Sequence, residues 1–386
     1  MPAVPQTKRI WLACRQETFA GMSLLTHLAE VPDFRQPGRN FRHPLLSILV
    51  ISVLAVLCGA DDFEDMADFG QQKQVALARH LALPYGVPSA DTFRRVFQHL
   101  DAAAFNAAFL NWVRQLLPAP VAVQICIDGQ TLRGSGPQAL HVVSALARAE
   151  GLCLAQVATR GKGQELAAIP DVLALLDLSG GALVSLDALG CQPAIAAQIV
   201  NQGGHYLLAL KQNQPTLCAE AERALDGVRP QAEATGWASH NTPVRWQVAV
   251  QTDLRWVNED GRWPQVAALV RVDTLRYPAA GPPQVQAPRY YLSSQPALTA
   301  EQALTAVRGH WAVENQLHWH LDVTLRQDAH RLRDERAAEN LALVRKMALN
   351  LLRADAAPGS LKVKRKRLGW SDTHLEALLA QIAKCV

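Results

Sequence analysis

The chain has 386 residues, 49% of them hydrophobic and 19% charged, with 23 Gly and 22 Pro spread along its length. That mixture excludes a disordered, collagen-like or coiled-coil chain and fits two or three globular domains. Its 38 basic and 34 acidic residues leave a net charge of +4, too small an excess to assign a nucleic-acid partner, so the local placement of charge decides.

Residues 1–21 carry neither an apolar signal-peptide core nor an amphipathic pattern and read as an extension, with Met22 an alternative start. Residues 22–118 read as an all-α domain. Ser23 can cap Leu24–Ala29, Pro44 opens the apolar run LLSILVISVLAVLC over Leu45–Cys58, and Asp61-Asp62 leads into further helix through Leu83. Fourteen apolar residues fall short of the ~20 that span a bilayer, so the run reads as a buried core helix with no membrane partner. Gly86-Val-Pro-Ser89 forms a turn, and the helix after it presents Arg94, Arg95 and His99 beside Phe93, Val96, Phe97 and Leu100. Such a turn and basic helix suit DNA, and suit an ordinary solvated helix face equally.

From 119 the texture changes. Strands are expected over Val121–Ile127, Leu140–Leu146, Leu152–Ala158, Ala182–Leu186 and Tyr206–Leu210, with helices over Glu165–Leu176 and Pro193–Gln202. The order β-β-β-α-β-α-β predicts a mixed five-stranded sheet with an antiparallel meander, a parallel half and flanking helices. Residues 229–297 read as a β-rich insertion with strands over Trp246–Thr252, Val266–Arg276 and Arg289–Leu292. Long helices are expected from Ala300 to about Leu325 and from Ala337 to Leu352, closing an α/β domain over 119–353. The tail, 354–386, holds Leu361-Lys-Val-Lys-Arg-Lys-Arg367, a basic run suited to a solvated face or to neutralising phosphates. Cys14, Cys58, Cys126, Cys153, Cys191, Cys218 and Cys385 are scattered and odd in number, without a C-x-x-C pair. They read as reduced core thiols of a cytosolic protein, not as a disulfide framework or zinc knuckle.

Asp128 ends the first apolar run, with Gly129 letting the backbone leave the sheet, and Asp187 ends the fourth run in the same way. Neighbouring carboxylates repel unless a cation or proton lies between them, so two strand-end Asp residues form a metal-site pattern; singly, each reads as a turn residue. A third acid is expected from a helix packed beside them. His310, Glu314, His318 and Asp322 recur every four residues and so form one polar stripe, either a ligand-bearing face or a surface stripe stitched by its own hydrogen bonds.

The stretches Ala60-Asp-Asp-Phe-Glu-Asp65, Pro88-Ser-Ala-Asp-Thr-Phe-Arg-Arg-Val-Phe97, Ile127-Asp-Gly-Gln-Thr-Leu-Arg-Gly-Ser135, Asp187-Ala-Leu-Gly-Cys-Gln192, Leu207-Leu-Ala-Leu-Lys-Gln-Asn-Gln214 and His310-Trp-Ala-Val-Glu-Asn-Gln-Leu-His-Trp-His-Leu-Asp-Val323 closely resemble the ISAs-type insertion-sequence transposases, which include the H-repeat-associated proteins. The resemblance runs from about residue 22 to the C-terminus. It implies a DDE transposase with a ribonuclease-H-like α/β core, a helical transposase-associated N-terminal domain and a β-rich insertion before the last acid. Motif by motif, it implies Asp128, Asp187 and Glu314 as catalytic and metal-binding residues. Gln130 stands where the family usually has Lys, Lys162-Gly-Gln-Glu165 replaces Lys-Ser-Asn-Glu, and Gln212 takes a position where Gly is common.

The expected chemistry is cleavage of insertion-sequence ends and transfer of the freed 3′-OH into target DNA. Three carboxylates would hold two Mg²⁺, with Mn²⁺ as substitute. Arg133, Lys211 and Arg308 are candidates for phosphate contacts, and Asn213, Gln214 and Asn315 for hydrogen bonds to DNA. His318 is a candidate to orient the scissile phosphate, and Trp311 and Trp319 suit stacking on an unpaired base or packing in the core. Double-stranded DNA is the expected partner, a homodimer is expected in the paired-end complex, and the expected location is the bacterial cytoplasm. A nuclease without strand transfer and a decayed, end-binding protein remain open alternatives.

Overall fold

The computed structural model describes residues 24–383 apart from 37, 39–40, 118–123, 136–138, 161, 239–241 and 280. The extension over 1–21, the Ser23 cap, Cys14 and Cys385 lie outside them.

The helical region starts with α1 (Leu24–Ala29), α2 (Leu45–Cys58), α3 (Phe63–Gln72), α4 (Gln74–Leu77), α5 (Ala90–His99) and α6 (Ala102–Leu116). Each of the polar residues Asp62, Ser89 and Asp101 caps the helix that follows it, Asp62 accepting from Asp65 N at 2.9 Å and Asp101 from Ala103 N at 2.9 Å. The apolar run forms α2, with Ile48–Ile51 and Val53–Leu57 fully buried. At about 21 Å it would not cross a bilayer of about 30 Å, and no single helix among the described residues is long and apolar enough to do so.

One nine-stranded sheet carries the rest: β1 (Gln124–Thr131), β2 (Leu140–Ala147), β3 (Leu152–Arg160), β4 (Leu183–Leu186), β5 (His205–Leu210), β6 (Ala232–Ala238), β7 (Thr242–Gln251), β8 (Ala268–Arg276) and β9 (Gln284–Ser293). Its order is β3-β2-β1-β4-β5-β9-β8-β7-β6. The five expected strands are its first five, antiparallel across β3-β2-β1 and parallel across β1-β4-β5. The insertion continues this sheet: β9 pairs antiparallel with β5, and β8, β7 and β6 follow as an antiparallel meander. Strand β6 has no counterpart in the sequence reading, because its segment AEATGWA lacks the β-branched run that marks the others.

Helix α7 (Glu165–Ala174) packs on β2 and β3, and α8 (Pro193–Asn201) on β5, while α9 (Pro215–Leu225) covers β7 and β8. Helix α10 (Ala300–His310) lies against β1, β4, β6 and β7. Every residue of β2 is buried, as expected for a strand covered on both faces. Helix α11 (Glu335–Ala354) joins the two regions, touching α2, α5 and α6 on one side and β3 on the other.

Two expectations change. The long helix from Ala300 stops at His310 and continues as wide π-helical turns over Val313–His318 and His320–Thr324, with Trp319 N bonded to Glu314 O and Leu325 N to His320 O. The basic run is α12 (Leu361–Trp370), which packs on α2 and is followed by α13 (Asp372–Ala383). Lys364 and Arg365 turn inward. Lys364 Nζ donates to the carbonyls of Leu352 (3.2 Å) and Asp355, and Arg365 donates to those of Val56 (3.1 Å) and Thr324 (2.6 Å). Helix-end carbonyls need donors, so these two cations hold the fold together and do not face a phosphate.

Candidate active site

Strand β1 does not stop at Asp128. It runs on to Thr131 paired with β2, whereas its parallel pairing with β4 covers only Gln124–Cys126. Asp128 therefore stands two residues beyond the point where the parallel neighbour ends, in a strand interior and not at a strand end. Cys126 pairs with Ser185, an offset of 185 − 126 = 59; Asp128 and Asp187 share that offset, so the two acids stand level where adjacent strands diverge. Gly129 is needed for close approach rather than for a bend. A Cβ there would collide with His141 Nε2 and the Glu165 carboxylate, which themselves lie 3.3 Å apart.

The polar stripe faces this strand pair. His310 Nδ1 lies 3.1 Å from Ser185 Oγ, which also accepts from Gln124 Nε2 at 3.2 Å. His318 Nδ1 lies 3.8 Å from Asp128 Oδ2 and 3.5 Å from Glu314 Oε2. Asp322 Oδ2 accepts from Gln130 Nε2 at 2.8 Å, and Gln130 Oε1 accepts from Gln327 Nε2 at 3.1 Å. The stripe thus docks against β1 and β4 through His310, His318 and Asp322, while Glu314 stays exposed at its edge. Ser185, His141 and Glu165 were missed as neighbours. Ser185 had a signal, because it lies two residues before Asp187 and so on the same strand face.

Burial pushes the Asp128 carboxyl up to about 6; His318 and the hydrogen bond from Gly129 oppose that rise, and the Glu314 and Glu165 charges add to it. The His318 ring beside it holds Glu314 below the usual carboxylate range, against the effect of burial. Asp322 is also pushed up to about 6 by burial and by Asp328. His310 is lowered by burial against the pull of Asp187 and Glu314. The buried Asp128 carboxyl, raised in part by the Glu314 charge beside it, is in surroundings that a cation relieves. Asp128, Glu314 and His318 each offer one donor atom, all within 4.8 Å of one another, so this set fits a divalent cation. Asp187 is not in that set: its Oδ1 accepts from Leu189 N (2.9 Å) and Gly190 N (3.3 Å), capping its own turn.

The other candidates are dispersed. Arg94 on α5 pairs with Glu64 and Asp91, and Arg95 is exposed. Arg133 is exposed beside Asp328, 3.7 Å away, and Lys211 is exposed just after β5. Asn213 donates to Ala188 O (2.7 Å) and Gln214 to Cys191 O (2.9 Å), so both amides brace the turn that carries Asp187. Arg308 stacks on Trp246 at 4.4 Å. With Arg148, Trp311 and Asn315 it lines a cleft of about 760 Å³ between α10 and β6. His318 is only 5% exposed and lies between carboxylates, where a phosphate would be repelled unless a cation intervened. Trp311 and Trp319 are exposed, at 55% and 51%, so neither is a core residue.

Residues 25–113 match the family described as DDE_Tnp_1-associated, and residues 120–351 match Transposase DDE domain. "Putative transposase YncI" of Escherichia coli O157:H7 is 34% identical over 375 residues, covering 94% of this chain and 95% of that protein. "H repeat-associated putative transposase YhhI" of Escherichia coli strain K12 is 33% identical, covering 92% of this chain and 97% of that protein. A piggyBac transposase in a synaptic complex with hairpin DNA aligns over 96% of this chain and 80% of its own, at 11% identity and a TM-score of 0.44. The family match across residues 120–351, and relatives at a third identity over nearly their full length, show that this chain belongs to the transposase DDE domain family.

Proposed function

We propose that the chain cuts the ends of an insertion sequence and joins the freed 3′-OH to target DNA, with Asp128, Asp187 and Glu314 as the catalytic acids. The observation that carries this reading is the convergence of Glu314 on Asp128 at the place where the pairing of β1 with β4 ends, with Asp187 the first residue after the neighbouring strand. Two Mg²⁺ ions, or Mn²⁺ in their place, would activate the attacking oxygen and stabilise the leaving one. The protein's own part is placement. Asp128 and Glu314 offer their oxygens from a rigid strand and from the π-helical turn, and Asp187 offers its free oxygen once DNA is bound. His310 and Ser185 hold the start of that turn against β4.

Double-stranded DNA would meet the exposed cations Arg133, Lys211 and Arg308 with its phosphate backbone. Arg95 on α5 would add a backbone contact from the helical domain over 22–118. Pairing two element ends in one complex calls for a homodimer, and the site of action is the bacterial cytoplasm.

The test is joining of precut DNA ends, carrying the source element's terminal repeats, to plasmid DNA in Mg²⁺ or Mn²⁺. The parent should join ends. Asp128→Ala, Asp187→Ala and Glu314→Ala should each lower joining by at least about 10³-fold, the several kcal/mol that metal-assisted phosphoryl transfer draws from its ligands, while still binding DNA. A parent that cuts without joining would be a nuclease. One that binds the ends and does neither would be an end-binding protein.

A further inference from the structure

His318 is 5% exposed and sits on the π-helical turn with its Nδ1 turned toward two carboxylates. Its separations of 3.5 Å from Glu314 Oε2 and 3.8 Å from Asp128 Oδ2 are long for hydrogen bonds. They are short enough for donors that share an ion, since two atoms each about 2.0–2.2 Å from one cation lie at most about 4.4 Å apart. The other ring nitrogen, Nε2, is buried without a hydrogen-bond partner among the described residues. In the tautomer that carries its proton on Nε2, the Nδ1 lone pair faces two anionic oxygens. A cation between them turns that repulsion into attraction.

We infer that His318 is a metal ligand, giving the Asp128–Glu314 cation a nitrogen donor through Nδ1 and biasing the site toward Mn²⁺ and similar transition ions over Mg²⁺. The inference rests on the reading that Asp128 and Glu314 hold a divalent cation. It goes beyond that reading by assigning a non-carboxylate ligand and the metal preference that follows. Mg²⁺ keeps to oxygen and water, whereas first-row transition ions also take imidazole, Mn²⁺ least tightly of the series and Fe²⁺, Ni²⁺ and Zn²⁺ more so. The wide helical turn supplies the geometry: Glu314 and His318 lie four residues apart on a segment that bonds i to i+5, and both reach the same strand.

The experiment is pulsed EPR of Mn²⁺ bound to the full chain, with Mn²⁺ and Mg²⁺ affinities measured alongside by calorimetry. The parent should show imidazole-nitrogen modulation, and the pattern should change when the protein is made with ¹⁵N-histidine, a readout that needs no variant to fold. In His318→Gln the modulation should vanish while Mn²⁺ still binds, about tenfold more weakly, with Mg²⁺ affinity changed less than about threefold. His310→Gln should keep the modulation. Bound Mn²⁺ without imidazole modulation, or modulation that survives in His318→Gln, overturns the inference and leaves the carboxylate site standing. Failure of the parent to bind Mn²⁺ overturns both, and Asp128→Asn, expected to abolish binding, separates this site from adventitious ones.

Discussion

Gly129 shows how one missing side chain shapes the site. It is an interior strand residue next to the first acid, and the space a methyl group would fill is taken by the His141 ring and the Glu165 carboxylate. The His141 ring is buried and fixed by Thr131 Oγ1 at 3.0 Å, so it cannot swing aside. Gly129→Ala is therefore expected to lower stability by about 1–3 kcal/mol, the usual cost of overpacking, read as a lower urea midpoint at unchanged slope. Joining should fall further than the lost stability explains, because Glu165 moves relative to Asp128. Adding Glu165→Ala removes one of the two colliding groups, and the double variant should recover part of the lost midpoint, a non-additivity expected of residues in contact. Additive losses would show that the collision is relieved elsewhere.

Among the elements, α11 does the joining, and its buried polar residues mark where. Asn340 donates to Phe97 O (3.0 Å) and Arg345 to Asp61 O (3.0 Å) in the helical region, while Asn350 both donates to and accepts from the Cys153 backbone at 2.9 Å. Lys346 Nζ donates to Gln156 Oε1 at 2.5 Å on β3, and burial lowers its amine to about 8 from the ordinary 10.5. Below pH 8 both folded and unfolded chains carry that proton. Between about 8 and 10.5 the unfolded chain keeps a proton that the folded chain has released, so this group makes stability rise with pH. The parent should gain stability relative to Lys346→Met as the pH climbs from 8 to 10, in paired urea titrations; a constant difference would mean that the amine stays charged. Such residues also show what sequence could and could not reveal. Caps, the apolar α2, five core strands and the four-residue stripe follow from local pattern. The π-helical turns do not, because a stripe spaced by four fits an α-helix as well, and β6 does not, because its place at the sheet edge is set by pairing with β7. Asp128 looked like a strand end because apolar residues stop there, while the β1 ladder to β2 continues through polar positions.

At the scale of the molecule, the motif around Asp61 and the basic run near the C-terminus meet, although 300 residues separate them. Asp61 pairs with Arg326 at 2.8 Å and Arg365 at 3.6 Å, and Arg365 also holds the Thr324 carbonyl at the end of the π-helical turn, so the helical region braces the segment that carries Glu314. This divides the five cations of α12 by role. Lys364 and Arg365 are structural, whereas Lys362 and Lys366 are exposed and Arg367 is half-exposed, with Arg367 donating to Pro358 O at 3.3 Å; of the five, these three present charge toward solvent, where DNA would meet it. Each phosphate contact contributes a slope of about 0.9 in log affinity against log salt. Replacing Lys362, Lys366 and Arg367 by Gln should therefore flatten the salt dependence of binding to any duplex by up to about 2.7 without moving the urea midpoint. Lys364→Gln with Arg365→Gln should do the reverse, lowering the midpoint while the slope of the protein that remains folded is unchanged. If the first set leaves the slope intact, α12 is not on the DNA face, and the positive charge that meets DNA lies instead with the exposed Arg133, Lys211 and Arg308.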